Sequence, residues 1–499
     1  MAEIFTFSPY GYEGSLVHAE ADIRRGIPAV DIVGLADGRV NECRRRIRAA
    51  IGGSGLGFPE GRVLVTLSPF ELMKEGESLE LAAALAVISA SDGGLYMRER
   101  VIVLGGLEPS GEVRGVRAVH AALTTASYAG IRHAVVPKAN LPEAMAVEGL
   151  MVVGVENLME AEAALRDGSM FQDSGRMKDD GSDVRFPADR DAEESAGTLR
   201  LSERLVRAVE TAVAGRHHLL VVGKPGCGMS LAVRTLVPLV TPELTVSESR
   251  PVTRVWSIAG ILRPDDSLVR AAPFRMPHPT VSIEGMCGGG SGCRPGEVSL
   301  AHNGVLFLED AAEFRSSVLQ MLRVPMESGV ITLSRAGRGT CYPAGFQLMM
   351  TASPCPCGNF GSRSGICLCS RESVERYWRK LGSPLIDRIG VVVRLGGDEE
   401  TACVDVGEMR RRIGTAYRIQ RLRGAYNGSL TERQAWECGI SAEAGRILDS
   451  HAAGLCERRR LSILRVAVTI ANMDGRETVG GNDVVEAMSF SDTSDFTIG

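Results

Sequence analysis

The run HHLLVVGKPGCGMSLAVRTLVPLV at 217–240 decides the fold. HHLLVVG is an unbroken apolar strand, GKPGCGMS a glycine-rich turn, and SLAVRTLVPLV an amphipathic helix. A phosphate-binding loop is G-x-x-x-x-G-K-[ST]: its glycines open backbone N–H groups to phosphate, its lysine neutralises the β- and γ-phosphates, and its hydroxyl holds Mg²⁺. Gly223, Gly228 and Ser230 stand at their places, but Met229 occupies the lysine position. Losing that lysine removes a charge-assisted contact worth about 1.5–3 kcal/mol. Lys224, second in the loop, is either a solvated loop lysine or a replacement acting across a subunit interface.

Outward from the loop, GVLFLED (304–310) and GFQLMMTAS (345–353) read as further buried strands. Strand, loop and helix in this order describe a doubly wound nucleotide-binding core. Glu309 and Asp310 close the first of these strands, where one carboxylate serves Mg²⁺ and the next polarises an attacking water. The usual order is Asp then Glu. Reversed, the shorter Asp310 stands about 1.5 Å short of a glutamate's reach, a displacement that can cost ~10²-fold in rate.

The core is read as 199–396, and amphipathic runs at 403–423, 441–453, 460–473 and 481–490 make 397–499 a helical lid. Upstream, β-rich runs at 29–35, 62–67, 101–106 and 133–137 alternate with helical patterns at 38–51, 78–91 and 116–129. Residues 1–165 are thus a separate α/β or α+β domain. The acidic, Gly- and Ser-rich stretch 166–198 is expected to be a flexible linker, having too little apolar surface to offset its ordering.

With 44% hydrophobic and 23% charged residues, the 499-residue chain has an ordinary globular composition. A net charge of −5 confines any nucleic-acid contact to local patches. No run of about 18 apolar residues crosses a membrane. MAEIFTFSPYGYEG has no signal-peptide pattern, and twelve cysteines then imply free thiols in a reducing cytoplasm. Cys355, Cys357, Cys367 and Cys369 form C-x-C-x₉-C-x-C, four thiols suited to tetrahedral Zn²⁺ or simply reduced in a loop. For DNA, the local candidates are RRRIR (44–48), Arg335, Arg338, and the Gly-rich loop 275–296 with Arg275, His278 and Arg294. A solvated helix face explains RRRIR equally well.

PFRMPH (273–278), GGG (288–290), RPGEVSLAHNGVLFLED (294–310), PCPCG (354–358) and SPLIDRI (383–389) resemble the magnesium-chelatase-like AAA+ ATPases, in particular the ComM (YifB) group. So do IVGLADGRVNECRRRIRAAI (32–51), SGLGFPEGRVLVTLSPFELMKEG (54–76) and LELAAALAVISA (79–90), so the likeness spans nearly the whole chain. The resemblance implies a P-loop AAA+ core with a C-terminal helical lid. It implies a homo-hexameric, ATP- and Mg²⁺-dependent DNA helicase acting on single-stranded or branched DNA in recombination of transforming DNA.

Carried over residue by residue, Gly223, Lys224, Gly226, Cys227, Gly228, Met229 and Ser230 form the nucleotide loop. Ser230 and Glu309 would serve Mg²⁺, and Asp310 would orient water. Arg388 would be an arginine finger for a neighbour's γ-phosphate, and Arg458 a lid arginine touching the same nucleotide. Ser353 takes the sensor position usually held by Asn. KEGES (74–78) resembles the Lon-protease stretch K-D-G-P-S, with Ser78 at the nucleophile position. Ala122 stands where that dyad needs lysine, so a Lon-like, ribosomal-S5-like scaffold without peptidase chemistry is expected.

Three functional readings remain: a ComM-type DNA motor with impaired hydrolysis, a pseudo-ATPase ring component, and a chelatase motor subunit. The N-terminal domain and the cysteine loop argue against the third.

Overall fold

The computed structural model describes residues 3–35, 37–69, 74, 77–92, 99–175, 183–263, 265–335, 337–360, 366–396, 400–451 and 455–491. Five parallel strands carry the nucleotide core, in the order Phe274–Arg275, Val305–Leu308, Gln347–Ala352, Leu219–Val222, Val391–Arg394. The middle three are buried from end to end, as a parallel sheet covered on both faces requires. The expected strands at 217–223, 304–310 and 345–353 are present, trimmed by loop residues at their ends. The last strand, VVVR, escaped notice because four residues carry too little periodicity.

Because every strand in this sheet runs the same way, the molecule has two chemically different edges. Residues 223–230, 309–310 and 353–360 leave the carboxyl ends. His217, Gly304, Gly345 and Gly390 lie at the amino ends. Loops at the carboxyl edge are where open α/β sheets bind ligands.

The C-terminal helices Val406–Arg423, Glu432–Glu437, Ala442–His451, Glu457–Met473 and Gly481–Ser489 match the expected helical runs, with one short helix added. They do not stand apart from the core. Met229, Val233 and Val237 of the phosphate-loop helix share one apolar cluster with Ile413, Tyr417, Leu464 and Val468. A buried amide stitches the joint, Gln420 Nε2 donating to the Ala214 carbonyl at 2.7 Å, while inside the core Gln347 Nε2 donates to the Ala212 and His217 carbonyls at 2.8 and 2.6 Å.

The N-terminal part is an eight-stranded mixed sheet ordered Gln172–Asp173, Met151–Val155, His133–Pro137, Arg100–Val103, Glu3–Ser8, Ser15–Arg24, Arg62–Ser68, Ala29–Val33. Helices Asp37–Gly53, Leu79–Ser91 and Val119–Tyr128 correspond to the three expected ones. The opening strands Glu3–Ser8 and Ser15–Arg24 were not anticipated, their apolar alternation being diluted by Thr, Ser, His and Glu. Tyr10–Tyr12, just past the first strand, ties this domain to the core. The Tyr12 N–H donates to Thr340 Oγ1 at 2.8 Å, the Gly11 N–H to the Gly292 carbonyl at 3.0 Å, and Arg338 lies 3.6 Å over the Tyr10 ring.

The stretch 166–198 corrects the reading from composition wherever it is described. Gln172–Asp173 pairs antiparallel with Met151–Val155. Arg190–Gly197 is a helix whose N-cap Asp189 accepts from the Ala192 N–H at 3.0 Å. Ala196 is fully buried, and Val184 and Phe186 pack on the core. Arg410 pairs with Glu193 at 2.5 Å, so the acidic charges dock rather than repel. Residues 176–182 lie outside the described part.

Candidate nucleotide site and cysteine knuckle

The phosphate loop has the backbone its glycines suggest. Gly226 and Gly228 both have φ of +86°, a left-handed conformation that a side chain would strain. The Gly223 N–H donates to the Ala352 carbonyl at 3.2 Å and that of Cys227 to the Lys224 carbonyl at 3.2 Å. Gly228 caps the helix Met229–Val240, whose positive end favours an anion. The cradle is there; its cation is not. Met229 is 6% exposed and joins the apolar cluster behind the loop. Its sulfur and that of Cys227 lie 3.0 and 2.9 Å from the point where a Gly223 Cβ would stand, so sulfur lines the start of the loop.

Thr351, fully buried on the strand between the loop and the acidic turn, joins the two. Its hydroxyl is 3.4 Å from Ser230 Oγ and accepts the Asp310 N–H at 3.2 Å. Ser230 and the Glu309–Asp310 turn therefore share one edge and one buried hydroxyl. Asp310 sits in the left-handed region at φ +49°. Burial, then the charges of Glu309 and Glu313, raise its carboxyl above the usual range. Tyr377 closes this side, its hydroxyl facing the Ser353 backbone and its acidity pushed to about 12 by burial and by Asp310 and Glu313. Neither Thr351 nor Tyr377 was anticipated. A threonine inside QLMMTA was the available signal for the first.

Arg388 and Arg458 meet at the opposite edge. Both donate to Glu327 Oε1, at 2.6 and 2.7 Å, and Arg388 also reaches the Pro384 carbonyl. They face a cleft of about 780 Å³ bounded by the amino ends of the strands. A parallel sheet separates them from this chain's own phosphate loop.

Beyond the strand Gln347–Ala352 the four cysteines converge. Their sulfurs lie within 4.8 Å of one another, with Cys355–Cys357, Cys355–Cys367 and Cys357–Cys367 separations of 3.4, 3.7 and 3.6 Å. Zn–S bonds of about 2.3 Å in a tetrahedron put sulfurs about 3.8 Å apart, so the donor set fits zinc. The Phe360 N–H donates to Cys355 Sγ at 3.3 Å, and the Asn359 backbone and the Cys355 thiol hold Cys357 down to about 6. Trp378 Nε1 anchors the knuckle through the Pro354 carbonyl at 3.1 Å. Gly358, at φ +76°, lies where a Cβ would come within 2.6 Å of Pro225, so knuckle and phosphate loop touch.

Other candidate residues divide. Arg46 of RRRIR pairs with Glu42 and Glu80 at 2.5 and 3.3 Å, and Arg48 lies over Phe58, which favours the structural reading of that helix. Arg275 is held by Glu297 at 2.7 and 2.8 Å. His278 bonds Thr280, and His302 accepts the Gly345 N–H. Arg294 and Arg335 are exposed, on the hairpins Gly288–Pro295 and Val330–Pro343. In KEGES, Glu75 and Gly76 lie outside the described residues. Lys74 is fully buried, donating to the Gly34 and Pro69 carbonyls, and Ser78 Oγ donates to the Phe7 carbonyl at 2.9 Å. Ala122 is buried and brings no base.

A five-stranded parallel sheet, a glycine cradle, an acidic turn and a helical C-terminal region define a mixed α/β protein of the P-loop AAA+ kind. Known sequences agree. Residues 198–402 match the magnesium chelatase subunit ChlI family, 19–140 the family described as subunit ChlI of Mg-chelatase, and 405–491 the ChlI C-terminal family. The chain is 37% identical to an uncharacterized protein of Mycobacterium tuberculosis over 99% of both chains. It is 30% identical to the uncharacterized protein YifB of Escherichia coli, over 98% of this chain and 96% of that one. To the competence protein ComM of Haemophilus influenzae it is 29% identical, over 98% and 97%. The chain belongs to the magnesium-chelatase-like ComM/YifB family. ATP and Mg²⁺ are the cofactors of that family in general. Among the described residues, no helix is long and apolar enough to cross a membrane.

Proposed function

We propose that the chain is an ATP-binding DNA motor of the ComM type, working as a homo-hexameric ring on single-stranded or branched DNA in the cytoplasm, with hydrolysis slowed by its phosphate loop. The observation that carries this reading is the division of one site between two edges of the same sheet. Cradle, Ser230, Glu309 and Asp310 lie at one edge, while Arg388 and Arg458 lie at the other. A head-to-tail ring of copies brings the two edges together. ATP would be held by Gly223 to Ser230, and Mg²⁺ by Ser230 and Glu309. Bound Mg²⁺ would neutralise phosphate charge, a task that Met229 cannot share.

The exposed arginines of the two hairpins, Arg294 and Arg335, supply the DNA-directed charge. The four-cysteine knuckle would hold one structural zinc. The N-terminal domain serves as a Lon-like scaffold without a peptidase dyad, since Ser78 donates to a carbonyl and Ala122 offers no base.

A second reading, a pseudo-ATPase ring component, is favoured by one observation: the lysine position of the loop holds Met229, a buried thioether that joins the apolar cluster behind the loop. Steady-state ATP hydrolysis, with and without single-stranded DNA, separates the two. Slow turnover stimulated by DNA supports the impaired motor, and no turnover with weak or absent nucleotide binding supports the pseudo-ATPase. Turnover of about 10 per second, ordinary for enzymes, would contradict both.

A further inference from the structure

Ile366 and Leu368 alternate with Cys367 and Cys369 in the second half of the knuckle, and they are 82% and 89% exposed. Large apolar groups left in water are costly to maintain and, when clustered, mark contact surfaces. They contribute no donor to the thiol cluster. The knuckle stands at the carboxyl edge of the sheet, with Gly358 against Pro225 of the phosphate loop.

We infer that Ile366 and Leu368 form an apolar foot with which the knuckle docks on a second copy of this chain, beside that copy's Val324. The occupant follows from the incompleteness of the site. The phosphate loop carries Met229 where its lysine belongs, and Arg388 and Arg458, both held by Glu327, lie at the far edge of the same chain. Val324 is 67% exposed and precedes Pro325, Met326 and Glu327, which line the cleft that holds those arginines. An apolar group therefore flanks each half of the split site, on opposite edges. A head-to-tail contact covers both with the same movement that brings arginine to phosphate. The knuckle thus ties metal binding to subunit assembly. This inference rests on the ring-forming, nucleotide-binding reading above.

Sedimentation velocity on the full chain with MgATP tests it, using Ile366→Asp/Leu368→Asp and, separately, Val324→Asp. Zinc content and the melting temperature report whether each variant is folded. Each variant is expected to keep the metal of the parent chain and to assemble about 100-fold more weakly. Mixing the two variants gives the sharper readout. Each retains one intact face, so the mixture is expected to form a dimer that neither forms alone. Assembly of the double variant at parental concentrations, or loss of DNA binding with assembly intact, would overturn the docking surface. So would a parent chain that binds nucleotide yet stays monomeric. A chain that binds no nucleotide at all would instead overturn the function proposed above.

Discussion

The phosphate loop and the cysteine knuckle grow from neighbouring parallel strands, Leu219–Val222 and Gln347–Ala352, and touch at Pro225 and Gly358. One has kept its backbone and lost its key ligand. The other has kept all four of its ligands, at separations that fit a metal. A cradle made of glycines survives the loss of its lysine because φ and ψ, not the side chain, shape it. A metal knuckle has no such reserve, since its fold is its ligation.

The strongest way to break this comparison is to remove the metal ligands. Cys355→Ser/Cys367→Ser is expected to abolish zinc and to destabilise the chain by on the order of 5 kcal/mol. Elemental analysis and thermal melting check it. A metal-free parent chain would remove the contrast altogether.

Acid comes next, and it acts through buried imidazoles away from the loop. Burial holds His217 at about 3 and His218 at about 4, both at the foot of the phosphate-loop strand, and holds His302 at about 4 and His120 at about 3. These folded values lie below the ordinary 6.5. The unfolded chain therefore takes protons that the folded chain refuses, and stability is full above about pH 6.5 and falls as pH drops toward 3–4. Each costs up to about 1.4 kcal/mol at pH 5.5. For Glu248, burial opposes the charge, but Arg216, the Thr245 N–H and the Tyr426 hydroxyl outweigh it and hold the carboxyl at about 2. Its contribution is present above about pH 4.5 and is lost only below that. Urea unfolding at pH 7.5 and 5.5 is expected to show a clear loss at the lower pH. Equal midpoints would mean that these imidazoles are not buried in solution.

A smaller effect sharpens the loop's half of the comparison. Thr351→Val removes the hydroxyl shared by Ser230 and the Asp310 N–H and is expected to cost about 1 kcal/mol in nucleotide affinity. The knuckle's zinc content should not change. Loss of zinc in this variant would show that the two sites are one unit.

Much of this was legible in the residues. Apolar strands, the glycine spacing and the acidic pair located the glycine loop and the acidic turn beside it because such features are local in sequence. The four thiols were legible for the same reason. The joints were not. Thr351 is one hydroxyl inside a buried strand, and Glu327 gives no local sign that two arginines 61 and 131 positions away will share its oxygen. The stretch 166–198 misled because composition averages over residues, whereas docking needs only Val184, Phe186 and Ala196 in the right places.

The central claim is that a glycine cradle shaped for phosphate works here without its cation. Calorimetric titration with MgATP of the parent chain beside Met229→Lys tests it most directly. The account expects weak binding by the parent and binding about 10- to 100-fold tighter by the variant, the equivalent of one charge-assisted phosphate contact. Tight binding by the parent, unchanged when the lysine is supplied, would contradict it.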